Sequence, residues 1–85
     1  MKFSELKKGM LLCYYHYGHT NVLELVYIKR IDIDRVSIIR FITHQRYEVN
    51  VANVTRRGWA SYKWTELRLA KYIDVKFFIK NAFEV

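Results

Sequence analysis

Apolar and polar positions along the chain fall mostly into the two-residue period of strands. Met10 to Tyr17 forms one apolar and aromatic run, Val22 to Ile33 a second, and Val36 to Thr43 a third, rich in β-branched residues. Tyr47 to Val54 alternates most clearly, with Tyr47, Val49 and Val51 on one face and Glu48, Asn50 and Ala52 on the other. A fifth strand is expected over Trp64 to Ala70, with Leu67 and Leu69 inward and Glu66 and Arg68 outward; Ser61 to Lys63 could extend it. The breaks carry turn residues: Gly9, Gly18-His19-Thr20-Asn21, Asp32-Ile33-Asp34-Arg35, the polar His44-Gln45-Arg46 and Thr55-Arg56-Arg57-Gly58. The second strand is long enough to call for a bend or bulge.

The period changes at the end of the chain. From Lys71 to Phe83, Ile73, Phe77 and Lys80 share one helical stripe, which Val75, Phe78, Ile79 and Ala82 widen. A short C-terminal helix is expected there, its apolar face covering an open end or edge of the sheet. The predicted fold is mainly β (α+β): a small, twisted, five-stranded, partly open barrel and one helix, forming a single domain over residues 1–85.

The opening Phe3-Ser4-Glu5-Leu6-Lys7-Lys8-Gly9-Met10 resembles the start of SH3-like small barrels, where a short apolar lead and a glycine precede the first strand. Trp64-Thr65-Glu66-Leu67-Arg68-Leu69-Ala70, followed at once by a helix, is similar to the end of such domains. The compact, basic, aromatic-rich character also resembles the small early proteins of T4-like phages, among them RNA-binding inhibitors of the ribonuclease toxin ToxN. That likeness rests on size, charge and overall character. It implies RNA and a host ribonuclease toxin as partners, a counter-defence role and a place in the host cytoplasm.

Composition narrows the classes. With 85 residues the core is small, so stability is modest or shared, and a homodimer would supplement it. The lone Cys13 excludes an intrachain disulfide framework and reads as a small buried residue in an apolar strand. No stretch reaches the roughly 18 apolar residues of a membrane helix, and Met1 to Lys8 lacks the apolar block of a secretory signal. A soluble, cytoplasmic protein with no membrane partner is expected. Net charge is +7, which makes nucleic acid the first candidate partner.

The basic residues concentrate between Arg35 and Lys63, where Arg35, Arg40, Arg46, Arg56, Arg57 and Lys63 face a single acid, Glu48. Arginine suits phosphate because its planar fork binds two oxygens and stacks on bases. Aromatics interleave: Trp59 follows Arg56-Arg57-Gly58, and Tyr62-Lys63-Trp64 comes next. On one continuous strand Tyr62, Trp64, Glu66 and Arg68 would share a face. The expected nucleic-acid site is therefore Arg40, Arg46, Arg56, Arg57, Lys63 and Arg68 for phosphates, with Trp59, Tyr62 and Trp64 to stack bases or wall the groove. Solvated charges spread over different faces, and tryptophans spent on the core, are the plainer reading of the same residues. Gly58 either admits a ligand to the backbone or simply closes a hairpin.

Other chemistry is thinner. His16, His19 and His44 could together hold zinc, or serve with Lys63 as acid and base in a metal-free ribonuclease, but no spacing singles them out. No cofactor is expected. In Tyr14-Tyr15-His16-Tyr17 one pair of rings must be partly exposed, and either that strand or the Phe77-Phe78 helix could dock on an acidic protein. Asp32 and Asp34 sit at a turn beside Arg30 and Arg35, which reads as local ion pairing. The leading expectation is a non-catalytic RNA-binding barrel contacting about five phosphates. A protein-interaction module is the alternative, and a ribonuclease the third reading.

Overall fold

The computed structural model describes residues 1–15, 22–43, 47–59 and 62–83. Seven antiparallel strands form one sheet: β1 (Leu11–Tyr15), β2 (Val22–Ile31), β3 (Arg35–Ile42), β4 (Glu48–Thr55), β5 (Gly58–Trp59), β6 (Tyr62–Lys63) and β7 (Leu67–Leu69). Their spatial order is β6-β5-β4-β3-β2-β1-β7. The two edge strands, β6 and β7, are joined in sequence by a single 3-10 turn at Trp64–Glu66, so the chain itself bridges the gap and nearly closes the barrel. This arrangement is compatible with the SH3-like expectation. The helix α1 (Tyr72–Phe83) follows β7.

The first four strands lie where the β-branched runs place them, and the bulge expected in the second is found as a register shift between Ile28 and Arg30. The Asp32–Arg35 turn closes with Asp32 N–H donating to the Arg35 carbonyl at 2.8 Å, and Asp32 pairs with Arg30 at 3.1 Å. The expected fifth strand is divided. Trp64–Glu66 is a 3-10 turn with a period near three, only Leu67–Leu69 is strand, and β5 and β6 are two-residue strands built from residues read as turn and extension. The barrel therefore has seven strands instead of five.

Alternation sorts the side chains into two cores. Leu12, Val26, Ile28, Val36, Ile38, Val54 and Leu67 point into the barrel and pack with Leu6 and Trp64. On the outside, Cys13 and Leu25 pack against Phe78 and Ala82 of α1, with Phe41, Tyr47 and Val75 around them. The helix thus covers the outer face of the sheet and not an end or edge. Its buried stripe is Asp74, Phe78 and Ala82, with Val75 and Phe77 packed beside it, while Ile73 and Ile79 of the expected face are exposed. A carboxylate leads that stripe because three donors meet it. Arg68 Nη2 reaches Asp74 Oδ1 at 2.8 Å, and the Lys71 N–H and the Cys13 thiol reach Oδ2 at 2.7 and 3.6 Å. Burial, then the nearby Asp74 carboxylate, pushes the Cys13 thiol up to about 12. In β4 the face carrying Val49 and Val51 is the outer one and is largely exposed at both valines, while Ala52 and Val54 serve the interior.

Candidate nucleic-acid interface

The β4–β5 connection, Arg56-Arg57, is held from several sides. Thr55 Oγ1 donates to the Gly58 carbonyl at 2.8 Å, and Trp64 Nε1 donates to the Thr55 carbonyl at 3.1 Å. Gly58 has φ +119°. A Cβ there would collide with the Tyr62 carbonyl and the Lys63 Cα, so glycine is required for β5 to approach β6. Gly58 thus serves hairpin closure, and it also lines a cleft beside the turn. Arg56 is stacked on Phe3, its Cζ 4.6 Å from the ring centroid, while Nη1 donates to the Ile33 carbonyl at 2.9 Å. These contacts orient the turn and the Arg56 side chain.

Two shallow clefts flank the turn. One of about 430 Å³ is lined by Phe3, Arg56, Arg57, Lys63, Trp64 and Thr65. The other, about 360 Å³, is lined by Thr55, Arg57, Gly58, Trp59 and Lys63. Arg57 and Lys63 border both. Arg56, Arg57 and Lys63 are exposed, and among the described residues no carboxylate pairs with any of them. The Glu66 carboxylate nearby is turned to the Lys63 backbone N–H at 3.4 Å. Trp59 is half-buried and meets Trp64 and Tyr62 edge-on at 5.3 and 5.5 Å. Its Nε1 is buried and has no hydrogen-bond partner among the described residues.

Several residues expected at this site are committed elsewhere. Trp64 is 2% exposed, so it closes the barrel instead of offering a face for stacking. The 3-10 turn also breaks the alternation that would have put Tyr62, Trp64, Glu66 and Arg68 on one face. Arg68 lies on the outer face with α1 and is paired with Asp74. Arg40 points into the barrel, where its Nε holds the buried Glu24 carboxylate and its Cζ lies 5.6 Å from the Trp59 centroid. The Tyr62 ring lies 4.5 Å from that of Tyr14, tilted by 40° to it, half inside the barrel. Burial, then the neighbouring Glu24 carboxylate, raises the Tyr62 hydroxyl pKa. Tyr14 is thus drawn inward, and Phe78 is core, which removes both from the list of exposed docking aromatics.

Arg46, His16, His19, His44 and Tyr17 lie outside the described residues. Among those described, no group of His, Cys, Asp and Glu is arranged to hold a metal ion. Phe3 is the wall residue that sequence reasoning missed, since it read only as an apolar lead; the one hint was its place in the SH3-like opening. Helix α1 adds a second basic strip, where Lys76 and Lys80 border a cleft with the exposed Tyr72. Among the described residues, no helix is long and apolar enough to cross a membrane. Searches against protein-family models, curated proteins and solved structures found no match to this chain.

Proposed function

We propose that this protein is a non-catalytic RNA-binding barrel whose contact site is the Arg56-Arg57 turn with Lys63, Phe3 and Trp59. The observation that carries the reading is the pairing of three exposed, unneutralised cations with two clefts that have aromatic walls. Guanidinium groups at a turn suit phosphate oxygens. Trp59, half-buried at the lip of one cleft, supplies an indole against which a base can stack. Single-stranded RNA fits better than duplex, because shallow clefts with aromatic walls accept splayed bases.

The likeness to phage inhibitors of a ribonuclease toxin supplies the biological reading: the bound RNA would hold the protein on a host toxin and block its turnover. That step rests on the resemblance alone. The deciding experiment is fluorescence anisotropy with a labelled single-stranded RNA and a matched duplex DNA across a salt series. Micromolar or tighter RNA binding that weakens with salt, and that Arg56→Glu with Arg57→Glu abolishes, is the expected result. Absence of binding at low salt overturns the reading and leaves an acidic protein as the partner for this basic face.

A further inference from the structure

β4 is fully paired on one side and almost unpaired on the other. Its register with β3 runs without interruption from Arg35↔Thr55 to Ile42↔Glu48. Against β5 the pairing is Thr55↔Gly58 alone. From Glu48 to Asn53 the outer edge has no strand partner among the described residues. In a hairpin with two residues in its turn, Thr55 directs its N–H and C=O toward Gly58, away from β3. Alternation then directs those of Val49, Val51 and Asn53 the same way, toward the open edge.

This edge lacks the features that keep sheet edges from pairing. Residues 48–53 contain no proline, lysine or glycine, their register with β3 has no bulge, and Glu48 is their one charge. Val49 and Val51 are 51% and 66% exposed on the outer face.

We propose that β4 pairs antiparallel with β4 of a second copy of this chain, about a two-fold axis through Asn50. Side-chain parity selects the axis. An axis between two residues would set an outward side chain opposite an inward one. An axis through Val51 would set both valines at position 49 against asparagine. The axis through Asn50 sets Val49 opposite Val51 of the second copy, twice, and Asn50 opposite itself. Val49 and Val51, whose backbone groups face the open edge, then exchange about four N–H···O bonds across the junction. β-Branched cross-strand pairs are favourable, and the valines leave water together. A second copy fits better than a foreign strand because the segment is complementary to itself in this register. Charge agrees with this choice: the junction is nearly neutral, and the two Arg56-Arg57 turns point to opposite ends, roughly 40 Å apart at about 3.3 Å per residue. The proposal does not depend on RNA binding.

The test uses the full chain in two measurements. Sedimentation equilibrium over a concentration series should show a monomer–dimer equilibrium, shifted to monomer at least tenfold by Val49→Lys with Val51→Lys while circular dichroism stays native. In a Cys13→Ala background, Asn50→Cys should form an interchain disulfide on mild oxidation. Opposed residues at a non-hydrogen-bonded antiparallel pair lie about 4.5 Å apart at Cα, within disulfide reach. Asn53→Cys should not cross-link, because its counterpart lies far along the strand. A monomer at every concentration overturns the proposal. So does a dimer unaffected by the lysine substitutions, or cross-linking at position 53 in place of 50.

Discussion

The guanidinium of Arg68 lies 2.8 Å from the carboxylate of Asp74, and that pair fastens the helix to the barrel. Asp74 is fully buried and Arg68 partly exposed. Removing the cation strands a carboxylate away from water, whereas removing the carboxylate also strands the Lys71 N–H. Arg68→Ala should therefore lower stability by about 2–4 kcal/mol. Thermal melts check this. RNA affinity, measured well below the transition, should stay within about twofold of wild type. A fall of tenfold or more in folded protein would return Arg68 to the contact surface.

Three cations with no carboxylate partner among the described residues set the ionic signature of binding. If Arg56, Arg57 and Lys63 each neutralise one phosphate of a single strand, log K should fall against log salt with a slope near −2. Replacing both arginines by glutamine should bring the slope to about −0.7. The steeper −3.5 that five contacts would give is the result to watch for, since it would bring in cations beyond this turn.

The two tryptophans should separate cleanly. Trp64→Phe loses indole volume and the bond to the Thr55 carbonyl, and should cost about 1–3 kcal/mol of stability with little change in affinity per folded molecule. Trp59→Ala should weaken RNA binding by roughly fivefold to a hundredfold, the range for one lost stacking contact. Urea titrations alongside binding curves distinguish the two effects.

Alkaline pH should unfold the protein earlier than its composition suggests. The Cys13 thiol has a folded-state pKa of about 12 against an ordinary 9.0, so the native state favours the protonated form. The associated stability is complete below about pH 9 and is lost progressively as pH rises toward 12. Tyr62 is shifted in the same direction and adds to the loss above its ordinary value of 10.0. Cys13→Ala should flatten the decline in Tm between pH 9 and 11. The native thiol should resist alkylation at pH 8, and rapid labelling there would show that it is not buried as described.

Most of the sheet is legible in the sequence because its causes are local. β-Branched runs mark β2 and β3, and Asp32-Ile33-Asp34-Arg35 marks the turn between them. The Arg56-Arg57 turn is legible for the same reason, since two like charges before a glycine can hardly be buried. What is hidden depends on partners far along the chain. Arg40 is withdrawn from solvent by Glu24, a neighbour only because β2 lies beside β3. Trp64 looks like an exposed strand residue until the Thr55 carbonyl and the 3-10 turn take it into the core. The helix face is legible only in part because Asp74, polar in any count of apolar positions, is the helix residue carried deepest.

The basic turn is mounted on the part of the barrel with the shortest strands. β2, β3 and β4 support one another over eight to ten residues each, but β5 and β6 have two residues apiece. Few backbone hydrogen bonds must break for that corner to open while the rest stays folded. Amide hydrogens of Gly58 and Trp59 should exchange with deuterium long before those of Val36 and Ile38, and a bound ligand should slow the first pair far more than the second. The corner's grip on a partner would then be set by how often it is closed as well as by the contacts it makes when closed.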